Sequence, residues 1–65
     1  MNLVPTIGVI GFLMGKAATG PYTDVLAYLA FQEAYGELPD AQPDAFSVFQ
    51  ESFKFAMEQE QAHAQ

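Results

Sequence analysis

The stretch that decides the fold of this 65-residue chain is residues 6–18, TIGVIGFLMGKAA. At about 100° per residue, its small residues fall on one helical stripe roughly 80° wide. Bulky apolar residues cover the opposite side, and a helix that is apolar all round is normally buried on every side. The stretch therefore predicts a helix over residues 6–18 whose bare face lets another backbone approach closely. We call that face the glycine stripe; it consists of Gly8, Gly11, Gly15 and Ala18.

The length of the chain leaves little room to surround such a helix. At 65 residues it lies near the lower limit of what a single hydrophobic core can stabilise. It contains no cysteine, which excludes disulfides and thiolate metal sites as additional supports. Short chains without such supports often oligomerise. We therefore expect the chain to self-associate, with the glycine stripe as part of the interface.

The charges are divided unevenly along the chain. The formal net charge is −6, from 8 acidic and 2 basic residues. Lys16 is the only charged residue before Tyr22, and all the acids and Lys54 come later. This division predicts one small domain with a hidden apolar segment, residues 1–20, and an acidic helical hairpin, residues 21–65. Nucleic-acid binding is disfavoured because phosphate recognition needs a basic surface, whereas a protein with an apolar or basic groove remains a candidate partner.

A membrane segment is the main alternative for the start of the chain. Residues 3–18 are mostly apolar, but a spanning helix needs about 20 such residues, and Lys16 interrupts the run. The pair Gly11-x-x-x-Gly15 matches a membrane-dimer pattern that carries weight only within a spanning segment. The start also lacks the cationic residues of a signal peptide. We favour burial in protein and keep a lipid-associated segment as the alternative.

A β-strand is the other structural alternative for this stretch, because it contains several β-forming residues. Three glycines cost a helix about 3 kcal/mol of propensity, which only tight packing offsets. No second strand-like run exists to pair with the stretch, however, so a helix is the better interpretation.

A second helix is predicted over residues 24–35. Thr19-Gly20-Pro21 separates it from the first helix, Thr23 is suited to its N-cap, and Gly36 is suited to the position after its end. Small residues along one side, Ala27, Ala30 and Ala34, make a natural neighbour for the glycine stripe. We call another side the aromatic strip; it consists of Tyr28, Phe31 and Tyr35.

A third helix is predicted over residues 44–61, after a loop that contains Pro39 and Pro43. Val48 and Phe55 fall outside its main apolar stripe, beside Ser52 and Gln59, and are candidates for a second contact surface. The main stripe consists of Phe46, Phe49, Phe53, Ala56 and Met57.

The sequence contains no convincing catalytic or cofactor constellation. Ser47 and Ser52 have no histidine near them in sequence, since the single histidine is His63 in the tail. The pair Glu60-x-x-His63 matches di-iron spacing, but such a site also needs glutamates from neighbouring helices in a dry core. The glycines lack the spacing of a phosphate-binding loop. We therefore expect no enzyme activity, no cofactor and no metal site.

The expected fold is all-α, with two to three short helices over about residues 6–18, 24–35 and 44–61, arranged as a hairpin or small bundle completed by oligomerisation. The expected function is non-catalytic association: self-association, or docking of the first helix into a larger complex as a structural component or a small acidic adaptor or inhibitor. The alternative is a membrane-associated miniprotein with residues 3–18 in lipid and an acidic soluble tail. No motif identifies a family, although the size and composition resemble those of many small phage or viral gene products. The expected interface consists of Gly8, Gly11, Gly15, Ala18, Tyr28, Phe31, Tyr35, Val48 and Phe55.

Overall fold

The computed structural model describes residues 4–63, and the side chains of residues 6–62. Within that range the chain forms α-helices and one turn of 3₁₀ helix, and it contains no strand. The predicted all-α class is confirmed, and every predicted helix end lies within two residues of the observed one. The α-helices are α1 (Val4–Ala17), α2 (Asp24–Tyr35) and α3 (Pro43–His63).

Both ends of α2 are fixed by the residues that the sequence indicates. The Thr23 hydroxyl accepts a hydrogen bond from the backbone N–H of Leu26 at 3.1 Å, which satisfies one free donor of the first turn. Gly36 adopts a left-handed conformation with φ of 68°, and its N–H donates to the Gln32 carbonyl at 2.8 Å. Side chains other than glycine are strained in that conformation, so Gly36 ends the helix at low cost.

The connection between α2 and α3 is more ordered than a plain loop. Pro39–Ala41 forms one turn of 3₁₀ helix, and the N–H of Gln42 donates to the Pro39 carbonyl at 3.0 Å. Pro39 stands at the first position of this turn, where its missing N–H is not needed, and its ring is buried. The turn therefore leads directly into α3, which begins at Pro43.

Helix α1 lies against the backbone of α3 at two glycines. A Cβ atom on Gly11 would stand 2.7 Å from the Phe49 carbonyl oxygen, and one on Gly15 would stand 2.5 Å from the Phe53 carbonyl oxygen. Cβ atoms in proteins essentially never come this close to another heavy atom, so only glycine at these positions allows α1 to lie so near the backbone of α3. Because Gly11 meets Phe49 and Gly15 meets Phe53, the two helices run in the same direction. An ion pair of 2.9 Å between Lys16 and Glu60 joins them further along.

Helix α2 contacts α3 through aromatic rings. Phe31 meets the rings of Phe46 and Phe49 edge to face, at centroid distances of 5.5 Å and 5.4 Å, a favourable geometry for aromatic pairs. Tyr22, just before α2, lies 6.2 Å from the ring of Phe53. The predicted apolar stripe of α3 therefore forms much of the core, with Phe46 partly buried at its edge. The buried apolar residues are Ala27, Ala30, Phe31, Phe49, Phe53, Ala56 and Met57.

The predicted pairing of the glycine stripe with the alanines of α2 is wrong. The nearest neighbours of the stripe belong to α3, which presents two small side chains to it: Ser52 opposite Gly8 and Ala56 opposite Gly15. On α2, Ala34 is exposed. The small residues of α3 recur four positions apart, as Gly11 and Gly15 do, so two narrow surfaces meet and the helix axes come close.

We predict opposite effects for alanine at two of these glycines. Gly15→Ala should lower the free energy of unfolding by roughly 1–3 kcal/mol, because the new methyl group collides with backbone. Gly8→Ala, the matched control, should leave it unchanged or raise it by up to about 1 kcal/mol, because alanine favours helix. At Gly8 the nearest atoms to the new Cβ are the Ser52 Oγ at 3.4 Å and a Val48 methyl at 3.7 Å, both ordinary contacts. Urea unfolding followed by circular dichroism measures both, and equal stabilisation by the two variants would contradict the close approach.

Candidate protein-interaction surface

The glycine stripe faces the interior of the chain in this structure. Gly11 and Gly15 are buried against α3, and Gly8 lies half-buried beside Val48 and Ser52. Ala18, at the end of the stripe, packs against the hydrophobic core. In this arrangement α3 of the same chain, and not a second molecule, occupies the face that the sequence suggested for self-association.

The aromatic strip is also part of the core. Phe31 is 2% exposed, and its ring lies 5.0 Å from the ring of Tyr35. Tyr28 and Tyr35 are half-buried, against Phe46 at 6.2 Å and Phe49 at 6.2 Å respectively. The strip therefore holds α2 to α3 and offers little free surface to a partner.

The suggested second contact surface of α3 receives α1. Val48 lies beside Gly8, and the ring of Phe55 stands 6.4 Å from that of Phe12. Phe55 nevertheless keeps 55% of its surface exposed. Of the residues expected at an interface, Phe55 is thus the large apolar side chain that stays open to solvent.

A different set of apolar side chains is open to solvent, on the outer sides of α1 and α2. Val9 and Leu13 lie one turn apart on α1 and are 57% and 60% exposed. Val25 and Leu29 lie one turn apart on α2 and are 67% and 55% exposed. Single exposed apolar residues are ordinary, whereas two such pairs, one on each of two helices, make a candidate contact surface. We call these four residues the outer apolar face.

Two clefts lie between α1 and α2, and the order of the residues that line them shows that these helices run in opposite directions. One cleft of about 220 Å³ joins the start of α1, at Thr6 and Ile7, to the end of α2, at Tyr35. Another of about 270 Å³ joins Ala17, near the end of α1, to the α2 residue Leu29, with Phe53 of α3 also in its lining. Of the outer apolar face, Leu29 lines this second cleft.

The charged side chains that border this surface are mostly acidic: Glu37 lines the smaller cleft, and the exposed Asp24 directly precedes Val25. Glu33 is the only charged side chain in the lining of the larger cleft. The lysines are engaged elsewhere, since Lys16 pairs with Glu60 and the Lys54 ammonium stands 5.6 Å from the ring centroid of Tyr22. The surroundings of the outer apolar face are therefore acidic, as is the whole chain, whose net charge is −6.

The hydroxyl groups of Tyr35 and Tyr22 differ in their hydrogen bonding. The Tyr35 hydroxyl is buried without a hydrogen-bond partner among the described atoms, and burial raises the pKa of this phenol. Burial also raises the pKa of Tyr22, although the hydrogen bond from Gln50 opposes that effect. The Tyr22 hydroxyl donates to Asp24 at 2.9 Å and accepts from Gln50 at 3.0 Å, so its polar group is satisfied.

The described residues bring no metal-ligand set together: no three histidine, cysteine or acidic side chains among them are placed to hold an ion. The side chain of His63 lies outside the described residues, so the pair Glu60-x-x-His63 has no described geometry. In the part of the chain that the structure describes, no helix has the length and apolar character needed to cross a bilayer.

Comparison with known proteins adds no relative. No protein-family model, curated protein or solved structure matches the chain.

Sequence reasoning did not select the outer apolar face, although all four of its residues are visibly apolar. The first helix is apolar all round, so its sequence does not tell which side the rest of the chain covers. The sequence feature that could have located this face was the glycine stripe. Once that stripe is assigned to α3, Val9 and Leu13 lie on the side turned away from it.

We predict that Tyr35→Phe leaves the free energy of unfolding at neutral pH unchanged or raises it by about 1 kcal/mol, because it removes a buried hydroxyl without a partner. The variant should also resist alkali better. A phenol whose folded pKa is raised stabilises the fold fully below its ordinary pKa of 10.0, and this stability is lost as the pH rises through the folded value. When unfolding is measured at several pH values above neutrality, the free energy of unfolding should fall less steeply with pH in the variant than in the wild type. The decline that remains in the variant should include the contribution of Tyr22, whose pKa is also raised. Identical alkaline profiles for the two proteins would contradict this.

Proposed function

We propose that this chain is a non-catalytic helical protein-interaction module that acts through the outer apolar face. The observation that carries the proposal is the exposure of Val9 and Leu13 on α1 and of Val25 and Leu29 on α2, with Leu29 at the cleft between the two helices. Interfaces are distinguished by a core from which charged residues are depleted, and this surface has that composition.

Burial of this face would offset part of the cost of binding a partner. Fully burying an exposed Val or Leu side chain contributes roughly 1.5–3 kcal/mol, and association costs at least about 4 kcal/mol in lost freedom of motion. Because the four side chains of the outer apolar face are 55–67% exposed, burying what remains in water would contribute roughly 4–7 kcal/mol in total, which is comparable to that lower cost. In the free chain more than half of the surface of each remains in water.

The proposal changes which side of α1 meets a partner. The sequence suggested docking by the glycine stripe, but that stripe already contacts α3 through Gly11 and Gly15. The opposite side, with Val9 and Leu13, is the side available for docking. Helix α1 then takes part in the interaction without leaving its own chain.

The membrane-associated alternative receives less support from the charges around this face. Helices that lie on a membrane typically carry lysine or arginine on their polar side, where these residues meet anionic lipid headgroups. Near the outer apolar face the candidate cation is Lys16, and it already pairs with Glu60 at 2.9 Å. The net charge of −6 also opposes approach to an anionic surface.

Site-specific photocrosslinking tests the proposal. Leu13→p-benzoylphenylalanine and Leu29→p-benzoylphenylalanine, made singly in the full chain and irradiated in the cells that naturally make it, should give covalent protein adducts. The matched control is Glu51→p-benzoylphenylalanine, at an exposed polar position of α3. Adducts of defined mass at both leucine positions but not at Glu51 support the proposal.

Two results would overturn it. Protein adducts no more abundant at Leu13 and Leu29 than at Glu51 would show that the outer apolar face has no protein partner. Adducts with lipid in place of protein would favour the membrane-associated alternative.

A further inference from the structure

We infer that the partner of the outer apolar face is a basic amphipathic helix, which places its apolar side against that face and its lysine or arginine residues near Glu33 and Glu37. This inference rests on the proposed function, which requires only that some protein bind the face. The further step is the chemistry of that protein, and it follows from the charges of the surface and from the spacing of its exposed side chains.

The charged side chains in the linings of the two clefts between α1 and α2 are carboxylates. Glu37 lines the smaller cleft, and Glu33 lines the larger one beside Leu29. Both glutamates are exposed, and neither forms an ion pair or a hydrogen bond with another residue in the part of the chain that the structure describes. Two carboxylates that the chain itself does not neutralise favour a partner that supplies cations.

The two lysines of the chain do not supply those cations. The Lys16 ammonium pairs with Glu60 at 2.9 Å, and the Lys54 ammonium stands 5.6 Å from the ring centroid of Tyr22. The net charge of −6 adds a long-range attraction toward a basic chain and a repulsion toward an acidic one. The whole charge distribution therefore selects for a basic partner.

The spacing of the exposed side chains of α2 matches a helix. Val25, Leu29 and Glu33 follow one another at intervals of four residues, so they form one row about 12 Å long on the surface of α2. A helix packs against such a row when it presents apolar residues at the same spacing and a cation one turn further along. Extended peptides commonly bind by adding a strand to a sheet edge, and the described residues contain no strand.

Fluorescence anisotropy with three labelled peptides and the purified full chain tests the inference. The probe is a helical peptide of about five turns, with leucine along one side and lysine along the other. Its two matched relatives carry glutamine or glutamate in place of every lysine. At low salt the lysine peptide should bind about tenfold more tightly than the glutamine peptide, and the glutamate peptide should bind more weakly than either. The advantage of lysine should shrink as salt is added, because ions screen exposed charges.

Reversal of single charges locates the binding site. Glu33→Lys should weaken binding of the lysine peptide about tenfold, because an attraction to the bound cations becomes a repulsion. The matched control is Glu51→Lys, which changes the net charge of the chain equally at an exposed position of α3 that lies outside both cleft linings. The control should change the dissociation constant about twofold or less, because solvent and salt screen a charge far from the peptide.

Removal of an apolar side chain from the face should also weaken binding. Leu29→Ser should raise the dissociation constant of the lysine peptide about tenfold, because an aliphatic contact is lost. Its matched control is Phe55→Ser, which should leave binding unchanged, since both residues are 55% exposed but lie on different faces. Circular dichroism checks the helix content of each variant, and Val25→Ser takes the place of Leu29→Ser if that variant loses helix.

Equal affinities for the lysine and glutamine peptides overturn the inference. Equal weakening by Glu33→Lys and Glu51→Lys overturns it as well, because it would indicate a general attraction between a basic peptide and an acidic chain. If the lysine peptide does not bind while Leu13 and Leu29 still crosslink to protein in cells, the basic helix fails and the interaction module stands. If the peptide binds as expected while cells give no adducts at these leucines, the proposed function fails and the preference for a basic helix stands.

Discussion

The structure depends on the contact between the backbones of α1 and α3 at Gly11 and Gly15. With a Cβ atom at either position, carbonyl oxygens of α3 would lie 2.7 Å or less from it. This contact sets the rotation of α1 about its own axis. Ile10 and Met14 consequently face the core, and Leu13 faces solvent. The rotation that buries one side of an evenly apolar helix therefore also exposes the other.

The interface of α3 with α1 is filled by smaller side chains than its interface with α2. Toward α1 the chain places glycine against Ser52 and Ala56, and the backbones nearly touch. Toward α2 it places Phe31 against Phe49, whose ring centroids alone are 5.4 Å apart. Helix α2 thus lies further from α3 than α1 does, and the seam between α1 and α2 is left incompletely filled. The clefts of the candidate interaction surface follow from this unequal spacing.

Local signals in the sequence predicted the elements of the fold well. The hydroxyl of Thr23 and the left-handed Gly36 act within one turn of the chain, so their roles at the ends of α2 could be inferred from neighbouring residues alone. The stripe containing Phe49 and Phe53 was equally visible, because periodicity reveals which side of a helix is apolar. Periodicity does not reveal which apolar sides meet.

The pairing of the glycine stripe depended on that missing information. Two candidates were available, the alanines of α2 and the narrow pair Ser52 and Ala56 of α3, and both offer small side chains at helical spacing. The candidate interaction surface could not be located before the pairing was known. Val9 and Leu13 are apolar in either arrangement, and only the position of α3 decides whether solvent reaches them.

The outside of α1 is the side of that helix left open to a partner, because its glycine side already meets α3. The buried core of the described residues contains seven side chains, three of which are alanine. In a short chain, the free energy gained by burying a core of this size only slightly exceeds the entropic cost of folding. Burying Leu13 and Leu29 against a bound protein would add aliphatic contacts to those that Ile7, Ile10 and Leu26 make at the edge of this core. The glycine contact and the proposed interaction are therefore successive steps: the first builds a small three-helix unit, and the second covers apolar surface that the first leaves exposed.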